Sequence, residues 1–133
     1  MTLLLDSSLL IGHLRGEAGC TAFLENHLGA GTDLRASVVT WAELLAGERL
    51  DAEGENAVRA LLGLFRGEPV TQAVGAAAGR LLRAHALARG LRLADALIAA
   101  TALELDCPVA TLDHRHLANL PGLLIVVPPH GTA

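Results

Sequence analysis

The chain has no lysine and no tyrosine; its ten basic residues are all arginine, set against 14 acids for a net charge of −4. Sequence-blind nucleic-acid binders rely on a broadly basic surface, so that class is excluded. Phe23, Trp41 and Phe65 are the only aromatic rings apart from histidines, too few for a platform on which several bases stack. Two cysteines, Cys20 and Cys107, give neither a disulfide framework nor a C-x-x-C metal knuckle, and read as small buried apolar side chains. Nothing approaches the roughly 20 apolar residues of a membrane span, because Asp6, Arg15, Glu43 and Asp95 interrupt the candidates. The N-terminus lacks a basic region followed by a long apolar core, so it does not read as a signal peptide. The expected location is cytoplasmic.

What the chain does have is apolar side chains, 52% of its 133 residues, mostly alanine and leucine. This length suits one domain that buries roughly two thirds of its unfolded surface. We expect that domain over residues 1–127, followed by a flexible C-terminal tail at 128–133 marked by Pro128, Pro129 and Gly131. The apolar surplus points to a dimer or partner interface; an alanine- and leucine-rich coding bias is the plainer explanation.

Hydrophobic spacing predicts short strands at residues 2–5, 34–39, 69–71, 108–111 and 123–127. Helices are expected from Ser7 to Gly16, over 18–28, 40–46, 52–66, 72–89 and 93–105, with a short one at 114–120. Strands alternating with helices imply an α/β fold, a central parallel sheet of four to five short strands flanked by helices in three layers. Such sheets bind ligands beyond the carboxyl ends of their strands, where strand order reverses.

Four carboxylates fall at or near that edge. Asp6 ends the run TLLLD, Glu43 lies in WAELLAG after the second strand, Asp95 interrupts LADALIAATAL, and Asp113 closes PVATLD. Carboxylates rarely enter apolar runs unpartnered, and several together raise one another's pKa unless a cation neutralises them. An oxygen-only cluster suits Mg²⁺ or Mn²⁺. Each acid has a plainer reading as well. Asp6 and Asp113 can serve as N-caps, Thr40-x-x-Glu43 matches a capping box, and Asp95 can complement a helix dipole. The joint pattern, not any single residue, points to metal-dependent phosphate chemistry.

Ser7, Ser8 and Thr111 are short hydroxyls beside the acids, suited to orienting carboxylates or water, or simply to turns and caps. Arg80, Arg83, Arg89 and Arg92 lie within thirteen residues and can form a rim that contacts RNA, or plain solvated faces. His114 and His116 read as polar residues of a first helical turn.

The chain resembles the PIN-domain ribonucleases, and its size and order are similar to the VapC-type toxins of bacterial toxin–antitoxin pairs. "LLLDSSLLIGHL" resembles the family's first strand, acid-hydroxyl motif and helix, and "SVVTWAELLAG" its second motif. "LRLADALIAATALELDCPVATLDHRHLANLPGLLIV" resembles the third and fourth motifs run together, and is the most specific part. Leu117 departs from the pattern, standing where these toxins often carry an aromatic residue, a change expected to affect packing.

The resemblance implies a PIN-like three-layer fold and a metal-dependent endoribonuclease. Asp6 and Asp95 would be the firmest Mg²⁺ or Mn²⁺ ligands, with Glu43 and Asp113 completing the site. It also implies an RNA substrate (transfer or ribosomal RNA), a cognate VapB-type antitoxin and a homodimer. Two competing classes remain. A phosphoacceptor or phosphatase domain also keeps acids at strand ends, but normally needs a lysine, which this chain lacks. A non-catalytic PIN-like module that binds RNA or protein would not need all four acids.

Overall fold

In the computed structural model, which describes residues 1–129, the chain forms five parallel strands in the order β3-β2-β1-β4-β5. The strands are β1 (Thr2–Leu5), β2 (Asp33–Ser37), β3 (Arg66–Glu68), β4 (Val109–Ala110) and β5 (Ile125–Val126). Six helices alternate with them: α1 (Ser7–Leu14), α2 (Ala18–Gly29), α3 (Val38–Leu45), α4 (Ala52–Leu62), α5 (Gln72–Arg89) and α6 (Leu93–Leu105). A 3₁₀ turn spans His114–His116.

Strand side chains alternate between faces, and that alternation divides the interior in two. Leu3, Leu5, Leu34, Ala36 and Ala110 join a core with residues of α1 to α4. Leu4 and Val109 face the other way, into a core built by α5, α6, Leu117 and Leu120. Leu3, Leu4 and Leu5 are fully buried, which explains why β1 reads as an unbroken apolar run. Helices on both faces of a parallel sheet give the expected three layers. Leu117 is buried in the second core, so the departure at this position does fall on packing.

From β1 the chain winds outward through β2 to β3, then crosses back to place β4 on the opposite side of β1. The order therefore reverses between β1 and β4, and this reversal opens the crevice where such sheets bind ligands. Asp6 follows β1, and Thr111 to Asp113 follow β4.

Several elements differ from expectation. Val38 and Val39 begin α3 rather than extend β2, because Ser37 is both the last strand residue and the helix N-cap, its Oγ accepting from Val39 N at 3.0 Å. β3 lies at 66–68 rather than 69–71: Pro69 offers no amide to a ladder, and Thr71 caps α5 by accepting from Val74 N. Helix α4 stops at Leu62, not 66. Pro128, assigned above to the tail, is fully buried; residues 130–133 lie outside the described residues. Edge strand β3 is tied to β2 by Arg35, whose guanidinium reaches Glu68 at 2.6 Å and Asp33 at 2.7 Å.

Two packing details yield tests. A Cβ on Gly12 would stand 2.6 Å from Cys20 Sγ and 3.2 Å from both Glu17 Oε2 and Leu112 Cδ1. Helix propensity favours Gly12→Ala by about 1 kcal/mol, whereas overpacking costs about 1–3 kcal/mol. Urea unfolding should show a net loss, and a gain would mean that α1 and α2 separate easily. Thr40 is fully buried with no partner for its Oγ1 among the described residues. Thr40→Val should therefore stabilise by about 1 kcal/mol; a loss in the same titration would show that the hydroxyl is satisfied in solution.

Candidate active site

Asp6, Ser7, Ser8, Ile11, Glu43, Arg92, Ala94, Asp95, Ile98 and Asp113 line one cavity of roughly 200 Å³ at the β1/β4 crevice. All four acids singled out in the sequence are thus brought together, from positions up to 107 residues apart in the chain.

The cap readings separate cleanly here. Asp6 occupies the N-cap position of α1 without a side-chain cap bond. Its Oδ2 instead accepts from Thr111 Oγ1 at 2.7 Å and Ser8 Oγ at 3.0 Å. The Thr40–Glu43 capping box does not form, because α3 starts three residues earlier at Ser37. Glu43 is left free to reach α1, where its Oε1 accepts from Ser7 Oγ at 2.9 Å. Asp95 does act at a helix start: its Oδ2 accepts from the Arg92 backbone N at 3.1 Å and lies 3.4 Å from Arg92 Nε. Asp113 makes no cap bond, and its Oδ2 contacts His116 Nδ1 at 3.1 Å.

A common feature emerges from these contacts. Glu43, Asp95 and Asp113 are each held through one oxygen, and the second (Oε2 of Glu43, Oδ1 of the two aspartates) has no partner among the described residues, whereas Asp6 accepts from the Ser7 backbone as well. The hydroxyls are themselves fixed. Ser8 Oγ accepts from Leu112 N, Thr111 Oγ1 accepts from Asp113 N (both 3.0 Å), and the two hydroxyls meet at 3.1 Å. The loop after β4 is thereby fastened to the start of α1.

Burial pushes the Asp6 carboxyl above its ordinary value, only partly offset by hydrogen bonds from Thr111, Ser8 and the Ser7 backbone; the charge of Asp95 raises it further. Burial also raises Glu43, the Ser7 hydrogen bond opposes this, and the charges of Asp6 and Asp95 add to it. Arg92 lowers Glu43 and is the only basic residue among the described residues that line the cavity.

Not every expected residue is here. Arg80 and Arg83 are exposed on α5 and do not line the cavity. Arg89's side chain lies outside the described residues. Leu93, in the apolar run that Asp95 interrupts, is 62% exposed, although Ala96 and Ile98 are buried. His116, expected only as a polar first-turn residue, meets Asp113, and their i, i+3 spacing is the sequence signal for that contact.

The donor set fits a hard divalent cation. It is all oxygen, excess negative charge is concentrated there, and Glu43, Asp95 and Asp113 each offer an unengaged oxygen. Among the described residues, no three His, Cys, Asp or Glu side chains are already gathered as a cage.

The sequence model of the PIN domain matches residues 3–123, and the chain belongs to that family. Ribonuclease VapC19 of Mycobacterium tuberculosis is 34% identical over 124 residues, covering 90% of this chain and 95% of that protein. Ribonuclease VapC10 of the same species is 38% identical over 115 residues, covering 86% and 84%. Among solved structures, VapBC2 from Rickettsia felis bound to a promoter DNA fragment matches with a TM-score of 0.80 at 15% identity, over 96% of this chain and 98% of that one. At that identity the likeness concerns the fold.

Because Asp6 titrates above its ordinary value of 3.8, its charge destabilises the metal-free fold. The penalty is absent below the unfolded value, grows as pH rises, and is complete above the folded one. Asp6→Asn should thus melt higher than the parent at pH 7 in the presence of EDTA. That advantage should shrink as pH falls toward 4. A difference independent of pH would contradict this placement of the charge.

Proposed function

We propose that this protein is a metal-dependent endoribonuclease, the toxin of a toxin–antitoxin pair, acting in the cytoplasm. The observation carrying this reading is the convergence of Asp6, Glu43, Asp95 and Asp113 on one cavity at the sheet's topological switch. It is supported by relatives named as ribonucleases and by a structural neighbour named VapBC2. The absence of lysine weighs against a phosphoacceptor or phosphatase.

In this reading Asp6 and Asp95 bind Mg²⁺ or Mn²⁺ most firmly, and Glu43 and Asp113 complete the site directly or through water. The cation supplies Lewis-acid activation of water and charge neutralisation at the phosphodiester. Ser8 and Thr111 hold Asp6, and Ser7 holds Glu43, so that each acid keeps a fixed orientation. Asp113 is steadied by His116. No side-chain nucleophile is needed, and cleavage by water leaves a 5′-phosphate and a 3′-hydroxyl. Transfer or ribosomal RNA is the expected substrate class. A VapB-type antitoxin and a second copy of the chain are the expected partners, covering part of the exposed apolar surface.

Labelled cellular RNA should be cut in millimolar Mg²⁺ and spared in EDTA. Asp95→Asn should abolish cleavage while the protein remains folded. The same cation should raise the parent's melting temperature, as any ligand of the native state does, and should do so far less in Asp95→Ala. RNA retained but never cut would instead favour a binding module; an unchanged thermal shift in Asp95→Ala would place the cation elsewhere.

A further inference from the structure

Arg92 stands apart from the other arginines. It precedes α6 at the cavity and touches Asp95 in two ways, through its backbone N and, more loosely, through Nε. Both contacts fall on the same oxygen, Oδ2. The two terminal nitrogens of its guanidinium have no partner among the described residues, and the side chain is 70% exposed. Arg35 and Arg59, in contrast, are committed to ion pairs with Asp33, Glu68 and Glu55. A cavity lined by four acids repels a polyanion, and among the described residues only Arg92 opposes that repulsion from its wall. Guanidinium groups present paired donors that match phosphate oxygens.

Building on the proposed ribonuclease function, we infer that the Arg92 guanidinium binds an RNA backbone phosphate at the cavity mouth, while the Arg92 backbone amide holds Asp95. One residue thus serves both substrate and acid, through atoms that a substitution can separate. Any residue other than proline at this position keeps the backbone hydrogen bond to Asp95. Arg92→Gln therefore removes the phosphate contact and spares the orientation of the carboxylate.

The test uses the full chain, a short single-stranded RNA, and Ca²⁺ in place of Mg²⁺ to permit binding without turnover. Arg92→Gln should weaken RNA binding by about tenfold, as loss of one charge-assisted hydrogen bond predicts. It should also reduce the salt dependence by about one counterion. Its Mg²⁺-induced thermal shift should match the parent's. In Mg²⁺, KM should rise about tenfold, with a smaller change in kcat. Arg59→Gln, which removes the same charge from an exposed ion pair on α4, should change none of these. Equal RNA affinity in parent and Arg92→Gln would overturn the inference, and so would loss of the thermal shift in the variant, since that would make the side chain structural. Failure of the parent to cut RNA would instead refute the proposed function, because the binding comparison does not depend on cleavage.

Discussion

Mutual repulsion among acidic groups is the constraint around which this fold is arranged. Carboxylates in a partly dry cavity favour their protonated forms, and here burial and neighbouring charge act in the same direction on Asp6 and Glu43. A domain that needed only stability would place apolar side chains there. The cost is confined to one edge of the sheet. Behind it, the three leucines of β1 are completely buried between two apolar cores that bear the load of folding.

The way each acid is held explains how the cavity stays ordered without closing on itself. Donors meet one oxygen of Glu43, Asp95 and Asp113 and leave the other unengaged, and the donors to the four acids come from separate elements. Ser8 and Thr111 join α1 to the segment after β4, Ser7 joins α1 to α3, and Arg92 leads into α6. The hydrogen bonds that orient the acids are thus the same ones that fasten the crossover connections together. Positioning and tertiary structure are not separable at this edge.

Much of this was legible before any coordinates. The apolar run of β1, the helical spacing of α1, α2 and α6, and the alternation of elements were enough for a parallel three-layer fold. Asp6, Asp95 and Asp113 stood out because charge interrupted or ended apolar runs. What was misread involved competition between local preference and context. Val38 and Val39 have strand propensity, but an N-cap serine immediately before them and burial of Val39 against the second core make them helical. That shift of three residues is also what dissolves the Thr40–Glu43 capping box. An arginine rim rests on proximity in sequence alone, but Arg80 and Arg83 lie on one exposed face of α5 away from the cavity, whereas Arg92, at the start of α6, lines it. The role of His116 in steadying Asp113 was too local to distinguish from an ordinary turn.

Of the five strands, β1 at the middle of the sheet comes first in sequence, and its neighbour β4 comes fourth. The hydrogen bond from Thr111 to Asp6 spans 105 residues. During translation, then, β1 lacks one of its two neighbours until residues 109–110 have been made. The four-acid cavity is completed no earlier, because Asp113 follows β4. A nascent fragment that stops short of β4 carries Asp6, Glu43 and Asp95 without the Thr111 hydroxyl that holds the first of them.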